Sequence, residues 1–112
     1  MKRIDSIIRP SSLEPVKESL ILAGIEGITI TEVRGFGRQK GHSEVYRGTE
    51  YKVDFIPKIM ITVLVPDDRV PDIVKAITET ARTGKIGDGK IIITPIEDVI
   101  RIRTGDRGDA AI

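Results

Sequence analysis

The stretch Lys58-Ile59-Met60-Ile61-Thr62-Val63-Leu64-Val65-Pro66-Asp67-Asp68-Arg69-Val70-Pro71-Asp72-Ile73-Val74 changes its hydrophobic period halfway along. Ile59, Ile61, Val63 and Val65 share one face of an extended segment, because successive side chains in a strand point to opposite sides. After Pro66, the apolar positions Val70, Ile73, Val74, Ile77 and Ala81 recur at helical spacing, which makes a stripe for burial. Asp67 or Asp68 is placed to cap that helix. Lys90–Pro95 is apolar again and reads as the next strand. The N-terminal half repeats the order. Residues 3–8 (Ile4, Ile7, Ile8) form a short strand stopped by Pro10. Ser11-Ser12 with Glu14 offers a capping box, and Pro15 is tolerated in a first helical turn. Leu13, Val16, Leu20 and Ala23 keep helical spacing up to Gly24, and Ile28–Arg34 is a second strand.

Strand-helix-strand occurring twice predicts an α+β, ferredoxin-like βαββαβ sandwich, with two helices on one face of an antiparallel sheet. A small α/β layer with another strand order is the alternative. A short fifth strand is expected over Val99–Thr104. The second and third strands of such a sandwich usually form a hairpin, yet the segment between them, 35–57, has 23 residues, far beyond a hairpin loop of about 2–5. All four aromatic residues (Phe36, Tyr46, Tyr51, Phe55) and the single histidine, His42, lie in it. Tyr and Phe beside arginine are residue types enriched at interface centres, so this long loop is expected to present them to other proteins.

The 112 residues form one domain, 1–112, with 39% hydrophobic and 31% charged residues. A net charge of +1 gives no pull toward nucleic acid or anionic membrane. The absence of cysteine excludes disulfides, thiolate metal sites and a cysteine nucleophile. No apolar run reaches the roughly 18 residues of a membrane span, and a cytoplasmic protein is expected.

Chemistry concentrates in Thr83-Gly84-Lys85-Ile86-Gly87-Asp88-Gly89-Lys90-Ile91, within a loop over 82–91. Glycine lets backbone N–H groups turn toward a guest, and lysine adds a compact positive charge. A second cluster, Gly35-Phe36-Gly37-Arg38-Gln39-Lys40-Gly41, follows the second strand. Arg101 and Arg103 would leave one face of the fifth strand, roughly 6.6 Å apart, and each carries a fork of donors for phosphate oxygens. Three basic or glycine-rich ends point to a phosphate site. Carboxylates are missing from it: none lies between Val33 and Ser43, and the other cluster has only Asp88. Phosphoryl transfer needs carboxylates to hold Mg²⁺, so nucleotide binding without efficient turnover follows, and no catalytic residue is nominated. A small nucleotide-using enzyme on a ferredoxin-like fold is the alternative. An RNA-binding module would place aromatics on the sheet face and carry a basic surplus; this chain has neither.

Gly-Phe-Gly-Arg-Gln-Lys-Gly-His (35–42), Tyr-Arg-Gly-Thr-Glu-Tyr (46–51), Thr-Gly-Lys-Ile-Gly-Asp-Gly-Lys-Ile (83–91) and Arg-Ile-Arg-Thr-Gly (101–105) together resemble the signature segments of the PII nitrogen-regulatory proteins. The resemblance runs from Met1 to the Ala-Ala-Ile end. It implies a homotrimer with nucleotide sites between subunits, where ATP and ADP compete and 2-oxoglutarate joins Mg-ATP. Carried over, Gly35, Gly37 and Arg38 approach the nucleotide. Gly87, Asp88, Gly89 and Lys90 wrap its phosphates, and Arg101 and Arg103 reach in from across the subunit boundary. Thr29 and Leu64 line the adenine and ribose end. Gln39 is the protein ligand of Mg²⁺, Lys58 pairs with the remote carboxylate of 2-oxoglutarate, and backbone groups around Lys40 and Gly41 assist. Tyr51 matches a tyrosine that a uridylyltransferase modifies in many members, and Thr49 stands where some members have a phosphorylated serine. The implied function is non-catalytic sensing of nitrogen, carbon and energy, with slow ATP hydrolysis at most. Regulation would reach an ammonium transporter (with recruitment to the membrane) or nitrogen-assimilation enzymes and regulators through the loop. Two departures stand out. Thr62 replaces a glutamate that commonly contacts the adenine amino group, and Ser11-Ser12 replaces a more usual aromatic-lysine pair.

Overall fold

A computed structural model describes residues 1–36, 43–46, 49–52 and 55–112, with backbone alone for 43–46 and 49–52. The elements are β1 (Lys2–Ile8), α1 (Leu13–Leu22), β2 (Thr29–Gly35), β3 (Ser43–Tyr46), β4 (Thr49–Lys52), β5 (Ile56–Val65), α2 (Val70–Ala81) and β6 (Lys90–Pro95). Four strands form one sheet in the order β2-β5-β1-β6, every neighbouring pair antiparallel. β1 and β2 are parallel with β5 between them, the split βαβ arrangement of a ferredoxin-like sandwich. β3 and β4 pair antiparallel as a separate two-stranded sheet, Ser43 opposite Lys52 and Tyr46 opposite Thr49. Part of the expected 35–57 loop is therefore strand.

The register sorts the strands into two faces. Ile4, Ser6 and Ile8 of β1 lie beside Val63, Ile61 and Ile59 of β5, and this face takes both helices. The core is Ile4, Ile8, Ile59, Ile61, Val63 and Val65 from the sheet, against Val16 and Leu20 of α1 and Ile73, Ile77 and Ala81 of α2. It is aliphatic throughout, and β-branched residues suit the pleated surface. Ser6 interrupts it: the side chain is fully buried and its Oγ has no partner among the described residues. An unsatisfied buried hydroxyl is a net cost. Ser6→Ala is expected to raise unfolding stability by about 1 kcal/mol, read from urea denaturation.

Three expectations are corrected. Neither Asp67 nor Asp68 caps α2. Residues Asp67–Arg69 form a 3₁₀ turn, and Asp67 instead accepts from the amino terminus at 2.8 Å and from Lys2 Nζ at 2.9 Å, which ties the chain start to the α2 entrance. Likewise Pro10–Ser12 is a 3₁₀ turn, and α1 begins with no side-chain cap bond. The fifth strand over Val99–Thr104 does not form. Only Ile100 makes a β-bridge, to Arg107, and a turn follows it. The backbone donors there are taken locally: Arg101 N–H reaches Asp106 O at 2.9 Å and Gly105 N–H reaches Arg101 O at 2.7 Å. Arg101 and Arg103 therefore sit on a turn, without the strand alternation that was to align them.

Candidate functional site

α2 ends at Ala81, and the glycine-rich segment returns the chain to β6. One carboxylate shapes it. Asp88 accepts from the Thr83 hydroxyl, from Thr83 N–H at 2.8 Å and from Gly84 N–H at 2.9 Å, with Arg9 Nη2 at 3.4 Å. These donors, the Thr83 hydroxyl first, hold the Asp88 carboxyl down to about 2. Two cations fasten the outer side. Arg9 Nη2 donates to Ile86 O at 2.8 Å and Lys58 Nζ donates to Gly87 O at 2.8 Å. Burial, then Arg9, lowers the Lys58 pKa, while Asp88 raises it. Gly87 and Gly89 both have φ of 103°, a region closed to most side chains. At Gly89 the approach is closer still: a Cβ there would lie 1.8 Å from Ile7 O. The segment is pressed onto β1, and only glycine fits.

The folded-state pKa of Asp88 is depressed, so its contribution is complete above the ordinary carboxylate value and is lost as pH falls toward 2. The Gly84 amide resonance is expected to titrate with a midpoint near 2. A midpoint near an ordinary aspartate would contradict the clamp, and Asp88→Asn should remove the transition.

The strand residues nominated from sequence share a face. Gly35 lies opposite Ile56, Thr29 opposite Thr62, Leu64 opposite Arg3 and Lys90 opposite Ile7. With Lys58 they fall on the side of the sheet that carries no helix. They divide between its two ends. Gly35, Lys58, Gly87, Asp88, Gly89 and Lys90 gather where β1 finishes, and a Cβ on Gly35 would be 3.6 Å from Lys58 Cγ. Thr29 and Leu64 belong to the other end, where a cleft of about 650 Å³ is lined also by Arg3, Thr31, Thr62 and Ile112. Along β1 the two ends are four residues apart, about 13 Å. β6 runs toward that second end, since Pro95 lies opposite Lys2, and Arg101 and Arg103 follow it on the turn, outside the lining of the cleft. Arg101 Nη1 is 3.3 Å from Asp106 Oδ2, and Arg103 is exposed. Thr62 donates to Asp5 Oδ1 at 2.6 Å, and Arg3 Nε also binds Asp5.

Arginine forks, lysines and outward-turned amides suit an anion such as phosphate. Gly37, Arg38, Gln39, Lys40 and Gly41 lie outside the described residues, as does His42; Thr49 and Tyr51 are described by backbone alone, on β4. Among the described residues no cluster of His, Cys, Asp or Glu suits a metal ion, and no helix is long and apolar enough to cross a membrane. Arg9 was missed in the sequence. It is the cation directly after β1, but its partners are 77 residues away, and local patterning carries no sign of that contact.

The family model "Nitrogen regulatory protein P-II" matches residues 1–106. Nitrogen regulatory protein P-II 1 of Escherichia coli (strain K12) is 60% identical over 112 residues, covering both chains completely. Nitrogen regulatory protein P-II of Azospirillum brasilense is 57% identical and that of Haemophilus influenzae 59% identical, again over both full lengths. The match spans the sheet, both helices and the glycine-rich turn, and the chain belongs to the nitrogen regulatory protein P-II family.

Proposed function

We propose that this protein is a non-catalytic regulator of nitrogen metabolism that binds ATP or ADP in sites shared between the subunits of a homotrimer. With Mg-ATP it takes up 2-oxoglutarate, and it acts on an ammonium transporter or on nitrogen-assimilation enzymes and regulators through the segment 35–57. The observation that carries the reading is the split of one anion-binding set between opposite ends of the helix-free face. The glycine turn, Lys58 and Lys90 stand at one end and the cleft at Thr29 and Leu64 at the other, and Arg101 and Arg103 follow the end of β6 that runs toward the cleft. A closed ring of subunits, each contacting the next head to tail, would bring one end of each chain to the other end of its neighbour.

The donor set fits a polyphosphate. Gly87 and Gly89 leave backbone amides without covering Cβ atoms, and the described carboxylate nearest them, Asp88, is engaged by Thr83, Gly84 and Arg9. Gln39 would hold Mg²⁺, whose chemistry here is to join phosphate to keto acid. Lys58 stands at the base of the 35–57 connection, and its ammonium would receive the remote carboxylate of the keto acid. Tyr51 on β4 would be the acceptor for uridylylation. The relatives' name, nitrogen regulatory protein, supports regulation over turnover.

Linkage gives the test. If 2-oxoglutarate binds through Mg-ATP, each ligand raises the other's affinity by the same factor. Calorimetry should show 2-oxoglutarate binding in Mg-ATP and none with ADP or without Mg²⁺. Strong binding under either of the last two conditions would overturn the scheme.

A further inference from the structure

The arginines of the C-terminal turn are held by a device that lies outside both the glycine turn and the cleft. Asp98 uses both carboxylate oxygens. Oδ1 accepts from Val99 N–H at 2.9 Å and Gly108 N–H at 3.2 Å, and Oδ2 accepts from Arg107 Nε at 2.8 Å with Arg107 Nη2 at 2.6 Å. Beside this, Gly108 N–H reaches Val99 O at 3.0 Å, and Ile100 bridges to Arg107. The tip is closed in the same manner. Thr104 Oγ1 donates to Asp106 Oδ2 at 2.9 Å, and Gly105 takes φ of 74°. Hydrogen bonds within 98–108 thus close this turn inside one chain. None of its residues contributes to the buried core.

We propose that Asp98 is a positioning residue for nucleotide phosphate: by joining the two stems of the turn it sets Arg101 and Arg103 before a ligand arrives. The inference rests on the reading of those arginines as phosphate ligands. Two considerations favour positioning over stability. Asp98 and Arg107 are partly exposed, with side-chain exposures of 36% and 67%, and exposed ion pairs add little to folding. Ordering a loop and its side chains costs free energy at the moment of binding, and a turn folded in advance removes the backbone part of that cost. The bond from Arg107, first, and those from the Val99 and Gly108 amides lower the Asp98 pKa from its ordinary value, in keeping with the clamp's geometry.

The test uses the full chain and ATP calorimetry, with thermal unfolding measured on each variant. Asp98→Ala should weaken ATP binding about tenfold, while the loss of its bonds within the turn lowers the melting temperature only slightly and leaves unfolding cooperative. Asp98→Asn keeps an oxygen for the Val99 and Gly108 amides but loses the ion pair, and should lose about threefold. If Asp98 acts through the two arginines, the triple variant Asp98→Ala/Arg101→Ala/Arg103→Ala should bind no more weakly than Arg101→Ala/Arg103→Ala, a non-additivity that an unrelated structural defect would not produce. Wild-type ATP affinity in Asp98→Ala, or fully additive losses in the triple variant, would overturn the inference and leave the nucleotide reading intact. Failure of the unsubstituted protein to bind ATP would overturn the nucleotide reading and this inference together.

Discussion

Gly89→Ala is expected to abolish ATP binding and to destabilise the fold by roughly 3–5 kcal/mol, the range of severe backbone and packing defects. The methyl carbon would lie 1.8 Å from Ile7 O, 2.9 Å from Ile7 C and 3.3 Å from Ile8 Cα. All three atoms belong to the backbone of β1. Rotamer changes bring no relief, because β1 is paired on both sides, to β5 and to β6. The φ of 103° adds strain for any L residue. The turn must therefore leave the sheet, and with it go the Gly87 carbonyl contact to Lys58 and the position of the Lys90 amide. Gly84→Ala is the matched control. Its φ is also positive, at 85°, but a Cβ there meets nothing within 4 Å, so the loss should be only about 1 kcal/mol. Chemical denaturation and calorimetry on the two variants check the contrast. Equal effects would mean that contact with β1 does not set the turn.

Much of this was legible from the chain. Alternation at Ile59, Ile61, Val63 and Val65 followed by helical spacing from Val70 to Ala81 reports burial on one side, and burial is what the core records. The helix starts were less legible. Asp67 has a capping residue's chemistry, but the amino terminus and Lys2 come close only once β1 has paired with β5, and they claim its carboxylate first. Val99–Thr104 alternates like a strand, and within one chain it finds a single bridge, so local hydrogen bonds from Arg101, Thr104 and Asp106 bend it into a turn. Candidate site residues were nominated by type and by resemblance, which drew Arg101 and Arg103 from a neighbouring subunit; the distance between Thr29 with Leu64 and Lys58 with Lys90 along the sheet was not read. Charge and glycine content mark what can hold an anion, whereas strand register decides which members meet. Arg9 and Asp98 escaped notice for that reason: each draws its meaning from contacts made through the fold.

The division of the anion-binding set makes a quantitative demand. A single chain holds Lys58, the glycine turn and Lys90 where β6 begins, and Arg101 and Arg103 on the turn that follows its other end. Sites shared between neighbouring subunits in a closed ring need each half from a different copy. Two variants then carry complementary lesions: Lys90→Glu spoils one half, and Arg101→Ala/Arg103→Ala spoils the other. Either variant alone should lose ATP binding by a hundredfold or so, as charge-assisted phosphate contacts are removed. Random reassembly of the two at equal amounts places an intact turn beside an intact arginine pair at about one site in four, whatever the number of subunits in the ring.

ATP calorimetry on that reassembled mixture tests the shared site most directly. Wild-type affinity at about one quarter of the sites is the predicted result. A mixture that binds no better than its two parents, or a monomeric form of the chain that binds ATP at full strength, would contradict it.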